Sequence, residues 1–99
     1  MADEILAKAL GAISRKARTE AEMRQWLADR EVDEEEIDRI IAWLTTNLAL
    51  DDRAFAFAFA HDKRELSAWG RDRIRKVLMR RGVGRSLIEE ALAGEEGET

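Results

Sequence analysis

Displaced so that Met23 lies on Ile74, the sequence overlies itself. Leu27 then falls on Leu78, Val32 on Val83, Ile37 on Ile88, Ile41 on Leu92, and Thr19 on Gly70. With a slightly longer loop ahead of this match, Leu6 and Leu10 fall on Phe55 and Phe59. A repeat of this length, with its apolar positions at helical spacing, describes one supersecondary unit used twice. That restricts the chain more than any single motif in it.

Each unit reads as three helices. In the first, Leu6, Ala9, Leu10 and Ile13 form an apolar stripe over residues 3–16, and Met23, Trp26 and Leu27 form another up to about Arg30. Thr19 and Glu22 have the spacing of a capping box, in which hydroxyl and carboxylate each satisfy the other's backbone amide. Asp33 and Glu36 repeat the cap ahead of a third helix carrying Ile37, Ile40, Ile41 and Leu44, with Trp43 at its edge. In the second unit, residues 71–81 place Ile74, Val77 and Leu78 inward, with Gly82 as a C-terminal cap that tolerates positive φ. A last helix runs from about Arg85 to Ala93, with Leu87, Ile88, Ala91 and Leu92 apolar and Gly94 as its stop.

The fourth helix carries the one conflict. Residues 54–60 alternate Ala and Phe with period two, the pattern of a strand. The alternating partner is Ala, which favours helix and is depleted in strands, and no turn residues bound the run. A helix follows, with Phe55 and Phe59 on one side and Phe57 on the far side, needing a second packing layer or left exposed. The chain has no Pro to interrupt any of this. The expectation is an all-α protein of six helices in two tandem three-helix repeats, residues 1–48 and 49–94, with a disordered tail at 95–99. Its expected core is Leu6, Leu10, Met23, Leu27, Ile37, Ile41, Phe55, Phe59, Ile74, Leu78, Ile88 and Leu92. Trp69 is expected to be at least partly buried, pinning the loop ahead of the fifth helix.

The chemistry open to such a chain is narrow. There is no Cys, hence no disulfide, thiolate metal site or Cys nucleophile. A lone His61 beside an Ala-Phe run is far more often a surface or packing residue than a base. The acidic pair Asp51-Asp52 and the acidic cluster Asp33 to Glu36 are accounted for by helix capping and first-turn electrostatics. No glycine-rich phosphate loop or nucleophile motif is present. Neither catalysis, a metal nor a cofactor is expected. No apolar run approaches the roughly 20 residues of a membrane span, and the N-terminus lacks a signal-peptide pattern. A soluble, cytoplasmic, monomeric protein is the expectation.

Charge is where function enters. From Arg53 to Arg85 there are ten Lys or Arg and three Asp or Glu, a balance of +7, while the remainder has seven and eighteen, a balance of −11. On the fifth helix Arg73, Lys76 and Arg80 form one stripe, flanked by Arg71 and Arg75, with Arg64 on the helix before. A solvated face that keeps a helix soluble is the plainest account of such a stripe. The concentration of opposite sign in the other repeat, where the matching positions are Glu22, Gln25 and Asp29, favours a binding face. Its target is nucleic-acid phosphate or an acidic protein surface. No recognition helix with base-reading Asn or Gln is visible, which argues against sequence-specific DNA binding.

At these same residues the sequence resembles the RecX family, the regulators of the bacterial RecA recombinase. Leu50-Asp51-Asp52-Arg53-Ala54-Phe55-Ala56-Phe57-Ala58-Phe59 is similar to the family's Leu-Asp-Asp motif with its following Phe-Ala and second Phe. Trp69-Gly70-Arg71-Asp72-Arg73-Ile74-Arg75-Lys76-Val77-Leu78, then Arg81-Gly82-Val83, is similar to its Trp-Gly motif. Arg18-Thr19-Glu20-Ala21-Glu22-Met23 resembles the start of a helix in the family's first repeat, and the sequence's closing Leu87-Ile88-Glu89-Glu90-Ala91-Leu92 also fits the family. Family members usually carry a third repeat and an aromatic before Leu-Asp-Asp; this sequence holds two repeats, and Leu48-Ala49 stands at the second place. The resemblance implies a helical modulator, most readily an inhibitor, lying in the groove of a RecA-type recombinase filament in recombination, DNA repair and the SOS response. Arg64, Arg71, Arg73, Arg75, Lys76 and Arg80 are the candidate residues for that partner, or for single- or double-stranded DNA. The alternative, from another class, is a small nonspecific nucleic-acid binder acting without the filament.

Overall fold

In the computed structural model, which describes residues 2–96, the chain forms six α-helices: α1 Ala2–Arg15, α2 Glu20–Asp29, α3 Glu34–Thr46, α4 Asp52–Ser67, α5 Arg71–Arg80 and α6 Arg85–Glu96. No strand occurs among the described residues. The chain divides into two units at Asp51, each with three helices and its own core.

Unit 1 is built around Met23, Leu27, Ile37, Ile40, Ile41 and Leu44, all buried. The ends of its helices follow from local chemistry. The Thr19 side chain accepts from the Glu22 amide at 3.1 Å, and the Thr19 amide donates to Glu22 Oε1 at 3.0 Å, so the capping box is complete. Asp33 Oδ1 accepts from the Glu36 amide at 3.0 Å and starts α3. Arg24 ties α2 to α3, donating from Nη1 to Asp38 Oδ1 at 2.8 Å and from Nε to Glu20 at 3.2 Å.

Unit 2 repeats the plan around Ile74, Leu78, Val83, Ile88, Ala91 and Leu92. The repeat extends to backbone hydrogen bonds. At the end of α2, Glu31 N–H donates to the Ala28 carbonyl and Val32 N–H to Leu27; at the end of α5, Gly82 donates to Met79 and Val83 to Leu78. Both are Schellman closures, which need a left-handed residue: Glu31 at φ 62° and Gly82 at φ 89°.

Two expectations are corrected. Leu6, Leu10, Phe55 and Phe59 are only partly buried, and the innermost residues of α1 and α4 are alanines: Ala9, Ala12, Ala56 and Ala60, all fully buried. On α4 the Ala56–Ala60 line lies about 100° round the helix from the Phe55–Phe59 line, given about 100° per residue. Small inward residues let helix backbones approach closely. The phenylalanines then straddle the contact, Phe55 and Phe59 on one flank and Phe57 on the other. The second correction is at Gly94, which does not stop α6; the helix continues to Glu96. A Cβ at Gly94 would lie 3.1 Å from Phe57 Cε2, so the glycine gives the Phe57 ring room against α6. Of the expected tail, Glu95 and Glu96 are therefore helical, and Gly97 to Thr99 lie outside the described residues.

Candidate partner-binding face

Helix α5 is preceded by Gly70, whose φ of −77° and ψ of 167° are those of an ordinary N-cap without a side-chain hydrogen bond. Ile74 and Leu78 are fully buried, so the opposite side of the helix is fixed by its period. Arg73, Lys76 and Arg80 come together there. With Trp69, Asp72 and Val77 they line a groove of about 520 Å³. Lys76 and Arg80 make no ion pair or hydrogen bond to any described residue.

Trp69 is half-buried, as its place ahead of α5 led one to expect, and is held from several sides. Phe59 meets its ring edge-on with centroids 6.0 Å apart, and Phe55 stacks on Phe59 at the same separation. The Arg73 guanidinium lies 3.9 Å from the indole centroid and the Lys63 ammonium 4.7 Å from it. Arg81 covers Phe55 at 4.6 Å. Cations over aromatic faces recur along this side of the unit, each contributing about 0.5–1 kcal/mol where exposed.

The other three candidate cations are placed differently. Arg75 faces α6. Its Nε donates to Glu89 Oε2 at 2.8 Å and its Nη2 to Oε1 at 3.2 Å, while Nη1 reaches Asp72 at 2.8 Å. Hydrogen bonding to Glu89 raises the Arg75 pKa further, and the same pairing lowers that of the Glu89 carboxyl. This is the counterpart of Arg24 with Asp38 in unit 1, where hydrogen bonds to Asp38 and then Glu20 raise the Arg24 pKa. Arg75 is thus the clip that joins α5 to α6. Arg64 is exposed in the last turn of α4, and Arg71 is half-buried at the start of α5.

The residues not anticipated are Trp69 and Val77 as parts of the groove. Val77 was expected to point into the core, yet it is only partly buried. The spacing of Trp69, Arg73 and Val77, four residues apart in turn, was the available signal. In unit 1 the matching surface carries Glu22, Gln25 and Asp29; Glu22 is held in its capping box, and Gln25 donates to Asp29 at 2.8 Å. Among the described residues no group of His, Asp and Glu has the arrangement of a metal site, and no helix is long and apolar enough to cross a membrane.

Two models of one family match the chain: the first three-helix domain of RecX over residues 6–44 and the second over residues 51–92. A regulatory protein RecX of Clostridium botulinum (strain Alaska E43 / Type E3) is 38% identical over 86 residues, covering 87% of this chain and 40% of the relative. One from Lactococcus lactis subsp. lactis (strain IL1403) is 35% identical over 86 residues, covering 86% and 32%. The chain therefore spans well under half of these relatives. Among solved structures, a crystal structure of regulatory protein RecX superposes with a TM-score of 0.85 at 26% identity, over 94% of this chain and 46% of that one. The crystal structure of RecX from Lactobacillus salivarius gives 0.89 at 24% identity, over 93% and 60%, a likeness of fold.

Proposed function

The chain belongs to the RecX family, and on that premise we propose that it binds the filament of a RecA-type recombinase and restrains its activity in recombination and DNA repair. The observation that carries the reading is the convergence of Arg73, Lys76 and Arg80 on one groove of unit 2, while Arg75 is held internally by Glu89 and Asp72. Like charges at helical spacing repel by a few tenths of a kcal/mol, and an opposing acidic surface relieves that and adds charge-assisted hydrogen bonds. In this proposal Arg73, Lys76 and Arg80 make the contact, Arg64 and Arg71 add field from its margins, and Arg75 positions α5. The bare ammonium of Lys76 and guanidinium of Arg80 would also suit phosphates, the basis of the second reading, a nonspecific nucleic-acid binder.

The test is a variant carrying Arg73→Glu, Lys76→Glu and Arg80→Glu, checked for helix content and melting. Exposed substitutions shift stability by under about 0.5 kcal/mol each, so it should fold. Mixed with recombinase filaments on single-stranded DNA, it should lose co-sedimentation and its effect on DNA-dependent ATP hydrolysis. A folded variant that matches the parent in both assays would reduce this face to a solvated surface.

A further inference from the structure

We propose that the groove on unit 2 seats an acidic protein segment that lays one apolar side chain against Trp69 and Val77, rather than a run of nucleic-acid phosphates. This rests on the reading of the face as partner-binding, and it states what the partner must present.

The first support is the floor. Trp69 and Val77 line the groove beside the three cations. A phosphate row gains nothing from an apolar floor, whereas a buried Leu-sized side chain strengthens binding about tenfold or more. The second is the state of the indole. Proteins that hold single strands stack bases on open aromatic faces. Here the Arg73 guanidinium lies 3.9 Å and the Lys63 ammonium 4.7 Å from the Trp69 centroid. A nucleobase would have to displace a cation that already covers the ring. The third is the rim. Asp72 lines the same groove as Arg73, Lys76 and Arg80. Its carboxylate accepts from Arg75 Nη1 at 2.8 Å, and a protein segment, unlike a phosphate row, can also set a donor opposite it. Along α5 the three cations span about 10 Å, about two helical turns. Acidic side chains at similar spacing on a partner segment would meet all three.

The test uses the full chain with Trp26→Phe and Trp43→Phe, leaving Trp69 as the only indole. Its emission is followed against three probes: a short peptide with Glu on both sides of a single Leu, the same peptide with Ser for Leu, and oligo-dT. The expected result is a saturable shift with the Leu peptide, binding about tenfold weaker with the Ser peptide, and weaker binding still by oligo-dT. Val77→Ser in this background should cut Leu-peptide binding about tenfold and leave Ser-peptide binding unchanged. Equal binding of the two peptides, no binding of either, or tighter binding of oligo-dT overturns the inference. Filament co-sedimentation is run in parallel. Co-sedimentation without the peptide preference removes this inference and leaves the filament reading standing. Peptide preference without co-sedimentation removes the filament reading and leaves the groove assignment.

Discussion

Glu31 and Gly82 occupy the same place in the two units, both left-handed and both closing a helix by the same hydrogen bonds. A left-handed residue with a Cβ costs roughly 1–2 kcal/mol, and glycine avoids this at an entropic cost of about 0.5–1 kcal/mol. Glu31→Gly should therefore stabilise the protein by about 0.5–1 kcal/mol and Gly82→Ala should destabilise it by a similar amount, read as opposite shifts of the urea midpoint at constant slope. The ion pairs are repeated in the same way. Because Arg75 lowers the Glu89 carboxyl's pKa in the folded state, the pair's share of stability is present above the ordinary carboxyl range. It is lost as pH falls through the lowered value. Glu89→Gln should be less stable than the parent near neutral pH, with the gap closing on acidification. Denaturation at a series of pH values reads this directly, and a gap that persists in acid would assign the loss to something other than the ion pair. The apolar matches were legible in the sequence because a core position shows itself by type and spacing alone. The role of Arg75 was not, since Glu89 stands on another helix; carrying the repeat on to the charged positions would have aligned it with Arg24 and Asp38.

At the scale of the element, α4 separates what propensity can decide from what it cannot. Ala content and the absence of turn residues identified a helix through a period-two pattern, and a helix it is. The inward face was another matter. The largest residues marked Phe55 and Phe59 as core, while the fully buried line is Ala56 and Ala60. Size gives burial only where the neighbouring helix stands far enough off, and that distance is a tertiary quantity. Ala60→Leu should thus be costly, about 1–3 kcal/mol from overpacking. Phe59→Ala, from a half-buried site, should fall well below the about 3–5 kcal/mol of a buried aromatic. A scheme with Phe59 inward expects the reverse order, so paired unfolding curves of the two variants decide between them. Gly94 was read as a stop for the same reason. Helix propensity flags a glycine, but only the contact with the Phe57 ring explains why α6 runs through it.

For the whole molecule, charge is divided as the cores are. Residues 1–51 hold seven Lys or Arg and twelve Asp or Glu, and residues 52–99 hold ten and nine, balances of −5 and +1. A chain that gripped nucleic acid by field alone would be opposed by its own first unit. In the proposed function, binding comes instead from local matching at the α5 groove, where Arg73, Lys76 and Arg80 are gathered. This makes salt dependence informative. Contact with single-stranded phosphates loses affinity with a slope of about −0.7 per phosphate in log K against log salt, so about −2 for three cations. Binding of this chain to bare single-stranded oligonucleotide should follow such a slope and become weak at physiological salt. Binding to recombinase filaments should fall less steeply, because carboxylates on a protein surface lack the condensed counterions that a phosphate row releases. Co-sedimentation across a salt series, with filaments in one arm and bare strand in the other, compares the two slopes. Equal slopes would place the affinity in the phosphates and favour the nucleic-acid reading; a shallower filament slope, with Val77→Ser lowering filament affinity by the same factor at every salt concentration, would tie the binding to the groove.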